Sequence, residues 1–166
     1  MLPLIQVDLT YQNGEQVVLL DGKDVSREIR LPESSMAASA VSALPPVRAF
    51  LLDTQRSLAA KHNVLMDGRD IGTVVLPNAQ VKVFLTASPE IRARRRYDEL
   101  VAKGVECDYE TVLTELKQRD YNDSHRPIAP LKPAPDSHML DTSDMTLEEA
   151  IIAVCRLVKM AVDKGE

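Results

Sequence analysis

From residue 64 onward, short apolar runs alternate with helical patterns, and this alternation constrains the fold more than any other feature of the sequence. The apolar runs are residues 64–66, 81–85 and 138–140, each bounded by turn residues. Runs of this kind suit strands that are buried on both faces. Helices are predicted between and after them, because Ser88, Asp108 and Thr146 stand at helix N-cap positions. Strands that alternate with helices indicate an α/β fold with a parallel sheet.

The beginning of the chain follows a different pattern. Apolar and polar residues alternate over 4–11, and a second apolar run covers 16–20. The pair Asn13-Gly14 between them tolerates positive φ, so these residues predict a β-hairpin.

Two helices are predicted after the hairpin, over residues 32–43 and 45–61, because Pro45-Pro46 ends one helix and opens the next. We therefore expect the hairpin and these helices, residues 1–62, to form a small lobe on a core of residues 63–166. The two parts are expected to form one compact unit.

Composition excludes several classes of function. The formal net charge of the 166-residue chain is −5, so general nucleic-acid binding is not expected. The chain has neither the long apolar run of a membrane span nor the basic start of a signal peptide, so no membrane association is expected. Cys107 and Cys155 form no CxxC pair, which favours a reduced, cytoplasmic compartment. The histidines lie at no metal-ligand spacing, so no metal site is expected.

The first group of candidate functional residues is the segment DGRDIGT, residues 67–73, at the carboxyl end of the predicted strand 64–66. In open α/β sheets, ligands bind outside the carboxyl ends of the strands. Arg69 offers a planar fork for phosphate, and Asp70 offers two acceptors to a base or sugar. The alternative is a tight turn that carries a surface Arg–Asp pair.

A second group lies in the run RDYNDSHR, residues 119–126. If the helix continues through it, Arg119, Asp123 and Arg126 share one face. Two guanidinium groups that flank one carboxylate would suit a phosphorylated sugar. The alternative is a solvated helix face with ordinary i,i+4 ion pairs.

A third group is the arginine-rich stretch RARRR on the helix after the second strand, with Arg92, Arg94, Arg95 and Arg96. Four arginines within five positions repel one another unless anions are near. Mobile arginines stabilise the transition state in phosphoryl transfer. The alternative is an exposed basic helix that neighbouring carboxylates relieve.

One motif is absent from the sequence. A phosphate-binding loop of the form G-x-x-x-x-G-K-[ST] does not occur in the 166 residues. Gly22-Lys23 is the one Gly-Lys pair, and it is followed by Asp24, with Val17 where the first glycine would stand.

These groups, in this order, resemble the bacterial cytidylate kinases. The matching stretches are NGEQVVLLDGKDVSREIR, AASAVSALPPVR, DGRDIGTVVLPNAQVKVFLTAS, RARRR and RDYNDSHRPIAPL, and together they run through nearly the whole chain. The resemblance implies a nucleoside-monophosphate kinase that transfers phosphate from ATP, with Mg²⁺, to CMP or dCMP. It also implies the parallel sheet of that fold with flanking helices, a small CMP-binding insert at residues 1–62 and a lid at about residues 92–130.

The resemblance also implies roles for particular residues. Ser39, Arg48 and Asp70 look like the groups that recognise the cytosine edge. Arg69 and Arg126 look like ligands of the acceptor phosphate, while Arg119 and Asp123 look like residues that hold the sugar and phosphate. Arg94, Arg95 and Arg96 look like the part of the lid that closes over the ATP phosphates.

The sequence departs from the family pattern at the phosphate-binding loop. The resemblance places a first strand, that loop and a first helix ahead of this region, and the chain does not contain them. We expect the sheet to lack its first strand, and the chain to be inactive alone unless another segment or chain fills the gap. The alternative hypothesis is a degenerate module that binds CMP or a partner without catalysis. A related shikimate or adenylate kinase is disfavoured by the set Ser39, Arg48 and Asp70.

Overall fold

The computed structural model of the chain describes residues 4–42 and 44–163. The chain divides into two compact units, Met1–Val64 and Leu65–Glu166, and each is described by itself. Within the described residues, none of the helices combines the length and the apolar character that crossing a membrane requires.

The first unit begins with the predicted hairpin, which is confirmed. Strand β1 (Val7–Gln12) pairs antiparallel with β2 (Glu15–Leu20), and β2 pairs with the short β3 (Lys23–Asp24). The turn between β1 and β2 needs Asn13 and Gly14 because both have positive φ, 53° and 83°. After a 3₁₀ turn, helices α1 (Pro32–Ser42) and α2 (Pro45–Lys61) follow, and Pro45 and Pro46 open α2 as expected.

The second unit contains the parallel sheet. Strand β4 (Val83–Thr86) pairs in parallel with β5 (His138–Asp141), in the register Val83 with His138 to Thr86 with Asp141. Three helices accompany the sheet: α3 (Pro89–Ala102), α4 (Tyr109–His125) and α5 (Leu147–Val162). The predicted α/β class with a parallel sheet is confirmed.

The helices of this unit begin where their caps predict. The Ser88 hydroxyl accepts a hydrogen bond from the backbone N–H of Ile91, and the Asp108 carboxylate accepts one from Thr111. Helix α5 opens with a complete capping box between Thr146 and Glu149. These local signals fix where α3 and α4 begin, and these two helices carry most of the arginines discussed below.

One predicted strand is wrong. Residues 64–66 form no strand pairing in the described structure, and Leu65 is 93% exposed. A strand exists only where a neighbouring strand satisfies its backbone groups, and the described residues pair β4 with β5 alone. After this segment the chain makes a π-helical turn, Ile71–Val75, that the sequence did not predict.

The core of the second unit lies between α3 and α4. Ala93, Leu100 and Val112 are buried together, and partly buried side chains pack against them. The two helices therefore pack against each other, and α3 begins just after the carboxyl end of β4.

Candidate functional site

Asp70 begins the π-helical turn. Its backbone carbonyl accepts hydrogen bonds from the N–H groups of Val74 at 2.8 Å and Val75 at 3.2 Å. The approach to the turn is tight, since a Cβ atom on Gly68 would stand 2.9 Å from Cγ1 of Ile71. Glycine at 68 thus lets the segment fold back, and Asp70 ends with only 9% of its surface exposed.

The last turns of α4 provide the second side of the site. Asp123 is 6% exposed, although it lies on a helix whose neighbouring residues are mostly exposed. The carbonyl of Asp123 also accepts the backbone N–H of Leu131 at 2.8 Å, which turns the proline-rich segment back over the helix end. A carboxylate so deeply buried requires cations or donors around it.

The two sides meet in a group of charged residues that we call the acceptor cluster: Arg69, Asp70, Arg119, Asp123 and Arg126. Arg69 donates from Nε to Oδ2 of Asp123 at 2.9 Å, and Arg119 Nε lies 3.8 Å from the same oxygen. Arg126 Nη2 lies 3.4 Å from Oδ1 of Asp70. The segment 67–73 and the run 119–126 therefore form one site.

The arrangement within α4 differs from the prediction in one respect. Arg119 and Asp123 share a helix face as expected, but Arg126 pairs with Asp70 instead of flanking Asp123. The helix ends at His125, and Arg126 has an extended backbone (φ −64°, ψ 142°) that breaks the i,i+3 spacing. The second guanidinium beside Asp123 is that of Arg69, from the loop.

The acceptor cluster carries three guanidinium groups and two carboxylates, so its formal charge is +1. Arg126 donates from Nε to the carbonyl of Ala129 at 2.6 Å, while its buried Nη2 makes no hydrogen bond within the described part of the chain. Among the described residues this nitrogen has only the long contact with Oδ1 of Asp70, so it can still donate to an anionic ligand, and the planar fork of arginine fits phosphate. The cluster is thus suited to bind a phosphate that also presents hydroxyl groups to its carboxylates.

A cleft of about 690 Å³ adjoins the cluster. Its walls are residues 65–73, strand β4, and side chains of α3, α4 and α5, among them Arg69, Asp70, Arg92, Asp120 and Val158. The cleft has the size of a small-molecule site, and charged side chains from the loop, α3 and α4 line it. A nucleotide-sized ligand is therefore compatible with this surface of the second unit.

The arginines of α3 have separate partners. The guanidinium of Arg94 lies 4.3 Å from the ring centroid of Tyr109, and Arg95 donates to the carbonyls of Thr142 at 2.6 Å and Met145 at 3.1 Å. Arg96 pairs with Glu99 at 2.9 Å. The role of Arg94, Arg95 and Arg96 in a lid stays a prediction, and these contacts are the ones that such a lid would have to exchange.

Arg92, the first arginine of the arginine-rich stretch, lines the cleft, although the resemblance implied a role only for Arg94, Arg95 and Arg96. It donates to both carboxylate oxygens of Asp120, at 3.1 and 2.6 Å, and from Nε to the carbonyl of Ala87 at 2.9 Å. Its position in the first turn of α3 was the available signal, because side chains there point back toward the preceding strand end.

One ion pair also joins α3 and α4 away from the cleft. Lys117 contacts Glu90 at 2.8 Å. The hydrogen bond from Lys117 holds the pKa of the Glu90 carboxyl below its usual value, and the same bond raises the pKa of the lysine. Both groups are exposed, so this pair contributes little to stability and mainly sets local charge.

Two predicted site residues belong to the first unit. Ser39 lies in α1, and its side chain is outside the described part of the structure. Arg48 lies in the first turn of α2 and donates from Nη1 to the carbonyl of Ser42 at 3.3 Å. Their participation in one site with the acceptor cluster stays a prediction.

Comparisons with known proteins identify the relatives of this chain. The family model described as cytidylate kinase matches residues 2–160. A cytidylate kinase of Fervidobacterium nodosum is 49% identical over 140 residues, covering 84% of this chain and 64% of the relative. Those of Lactobacillus johnsonii and Caldanaerobacter subterraneus are 45% and 53% identical, covering 92% and 93% of this chain and 66% and 68% of the relatives. The chain thus spans just under two thirds of the first two relatives' length.

Proposed function

The chain belongs to the cytidylate kinase family, and we propose that its activity is transfer of the ATP γ-phosphoryl group to CMP or dCMP. The acceptor cluster is the observation that carries this proposal. It places three arginines and two buried carboxylates beside a cleft of nucleotide size. The guanidinium groups can donate hydrogen bonds to a phosphate, and the carboxylates can accept hydrogen bonds from ribose hydroxyl groups or from the base.

In this proposal the members of the cluster divide the acceptor nucleotide among them. Arg69 and Arg126 bind its phosphate, Arg119 and Asp123 hold the sugar and phosphate, and Asp70 accepts from the cytosine edge. Their present ion pairs support these roles, because each arginine already has a carboxylate that keeps it in place until an anion arrives. Ser39 and Arg48, carried by the first unit as a CMP-binding insert, would complete recognition of the base.

Phosphoryl transfer in this class depends mainly on positioning and on electrostatic stabilisation. The residues of this chain would contribute by fixing the acceptor phosphate and by excluding water when the lid, residues 92–130, closes. In the closed state Arg94, Arg95 and Arg96 would leave their present partners and contact the ATP phosphates.

In this proposal ATP is the co-substrate and Mg²⁺ is the metal cofactor. No group of three or more His, Cys, Asp or Glu side chains in residues 4–42 and 44–163 could hold a metal ion. Mg²⁺ in phosphoryl-transfer sites is held largely by substrate phosphates and by one or two carboxylates, so it would enter with ATP. The same proposal places the protein in the cytoplasm, where ATP and CMP both occur.

The loop that binds the donor phosphates is absent from these 166 residues. We propose that a further segment, or another chain, supplies it together with the first strand of the sheet. Two features support this: β4 pairs on one side alone within the described residues, and Leu85 on that strand is 59% exposed. Parallel strands are normally covered on both faces.

A product assay tests the proposal. The chain is incubated with ATP, Mg²⁺ and CMP, dCMP or AMP, with and without a separately produced fragment of the Caldanaerobacter relative that covers the part of its length that this chain does not match, and CDP is measured by chromatography. We expect CDP from CMP when the fragment is present, loss of the product with Arg126→Ala, and retention with the surface control Lys159→Ala on α5. CMP binding without CDP in any mixture would instead favour a non-catalytic binding module.

A further inference from the structure

Lys82, the residue before β4, has a buried side chain. Only 7% of it is exposed, and its ammonium donates to both carboxylate oxygens of Asp136, at 2.9 and 2.6 Å, and to the carbonyl of Pro77. The hydrogen bond from Lys82 also holds the pKa of the Asp136 carboxyl below its usual value. The stem of Lys82 is therefore covered, whereas its charged end meets Asp136, whose side chain is 64% exposed.

The stem of Lys82 lies against the turn that carries Asp70. A Cβ atom on Gly72, the second residue of Ile71–Val75, would stand 3.4 Å from Cδ of Lys82 and 3.6 Å from Cγ. Pro77, whose carbonyl accepts the ammonium, follows the end of this turn. The side chain therefore touches the start of the turn with its methylenes and holds the residues after it with its charge.

Asp136 anchors the other end of this contact. It lies two residues before β5, and the first β5 residue, His138, donates its N–H to the carbonyl of Lys82 at 2.8 Å. Lys82 thus joins three segments: its own approach to β4, the approach to β5, and the Asp70 turn. Of these segments, the Asp70 turn lacks strand pairing within the described residues. It therefore depends most on the contacts of Lys82 with Asp136, Pro77 and Gly72, which we call the Lys82 tie.

We infer that Lys82 is a positioning residue for the acceptor cluster: with Asp136 it fixes the Asp70 turn, and so presents Asp70 to Arg126 and to the ligand. The inference rests on the proposed function for its effect on CMP. Its structural part, the hold on the turn, stands on the contacts alone.

The binding test uses the full chain and isothermal titration with CMP. Lys82→Met and Asp136→Asn are each expected to weaken CMP binding about tenfold, the size of effect that supporting residues have on a site they orient. The double variant Lys82→Met with Asp70→Asn should bind as Asp70→Asn does, within twofold. Lys159→Met, which removes an exposed lysine of α5 that does not line the cleft, is the matched control and should bind as wild type does.

Two results would overturn the inference. One is a folded Lys82→Met protein that binds CMP within twofold of wild type. The other is a loss with Lys82→Met but wild-type binding with Asp136→Asn, because the lysine would then contact the ligand directly. Should Lys82→Met fail to fold, Lys82→Arg and Asp136→Asn decide between the same outcomes, with Lys82→Arg expected to recover most of the affinity.

Amide hydrogen exchange separates this inference from the proposed function. The N–H groups of Val74 and Val75 bond to the Asp70 carbonyl, and both should exchange about tenfold faster in Asp136→Asn than in wild type if the tie holds the turn. Unchanged exchange would overturn the inference even if CMP binds. Faster exchange in a protein that binds no CMP would support the tie and refute the proposed function.

Discussion

The pair of Arg126 and Asp70 gives the most specific prediction about the site. Their side chains are 11% and 10% exposed, and Nη2 lies 3.4 Å from Oδ1. Removing one member of a fully buried ion pair costs about 3–5 kcal/mol. Because the contact of 3.4 Å is long and both side chains keep some exposure, we expect Arg126→Ala to lower the free energy of unfolding by about 2–3 kcal/mol.

The double variant isolates the pair itself. Asp70→Asn alone should cost about 1–2 kcal/mol, because it leaves the buried guanidinium without its carboxylate. Arg126→Ala combined with Asp70→Asn should cost less than the sum of the single changes, by about 1–2 kcal/mol. The reason is that the double variant removes both charges and leaves neither of them buried without its partner.

Urea unfolding followed by circular dichroism measures these differences. The control is the exposed pair of Lys103 and Glu99, whose side chains are 57% and 46% exposed. There Lys103→Ala should cost less than about 1 kcal/mol. Additivity of Arg126→Ala and Asp70→Asn to within about 0.3 kcal/mol would refute the reasoning, because two groups in one buried contact must couple.

Further variants test other parts of the account. Gly68→Ala should lower stability by about 1–2 kcal/mol in thermal unfolding, since its new methyl group would meet Ile71 at 2.9 Å; a neutral result would mean that this loop is not tight. Asp120→Asn should weaken the bidentate contact of Arg92 and cost about 1 kcal/mol in urea unfolding; no loss would show that the pair is not formed. Thr146→Ala should cost about 1 kcal/mol through loss of the α5 cap, and unchanged stability would contradict the capping box. The backbone N–H of Thr146 and then its hydroxyl hold the pKa of the Glu149 carboxyl below its usual 4.5. The ionised Glu149 carboxylate therefore stabilises the folded state above about pH 4.5, and this stabilisation is lost as the pH falls through the lower folded pKa. The difference in stability between wild type and Glu149→Gln should accordingly shrink as the pH falls. A difference that stays constant between about pH 6 and pH 3 would contradict this prediction.

The parts of the structure that depend on local chemistry could be predicted from the sequence. The caps at Ser88 and Thr146 act on backbone groups within one helical turn, and both helices begin where these residues place them. The same holds for the pair of Arg119 and Asp123, whose i,i+4 spacing fixes their distance once the helix forms.

Contacts between distant segments could not be predicted in this way. Arg69 and Asp123 are separated by 54 residues, and nothing local to either identifies the other as its partner. Arg126 was expected beside Asp123, but that expectation assumed a helix that in fact ends one residue earlier.

The strand expected at residues 64–66 shows a second limit. Its apolar composition suits a strand, but a strand also requires a neighbour that accepts and donates its backbone hydrogen bonds, and composition does not provide one. The arginines of α3 show a third, because their charge was evident while only their contacts distinguish Arg92, at the cleft, from Arg95, on the Thr142 carbonyl.

Titration of CMP into the purified chain, with AMP as the comparison nucleotide and Arg126→Ala as the variant, tests the central claim most directly. The account predicts saturable CMP binding, weaker AMP binding, and a loss of at least about tenfold with Arg126→Ala, since charge-assisted contacts to phosphate carry about 1.5–3 kcal/mol. A folded chain that shows no CMP binding, or binds CMP equally well without Arg126, would contradict the assignment of the acceptor cluster.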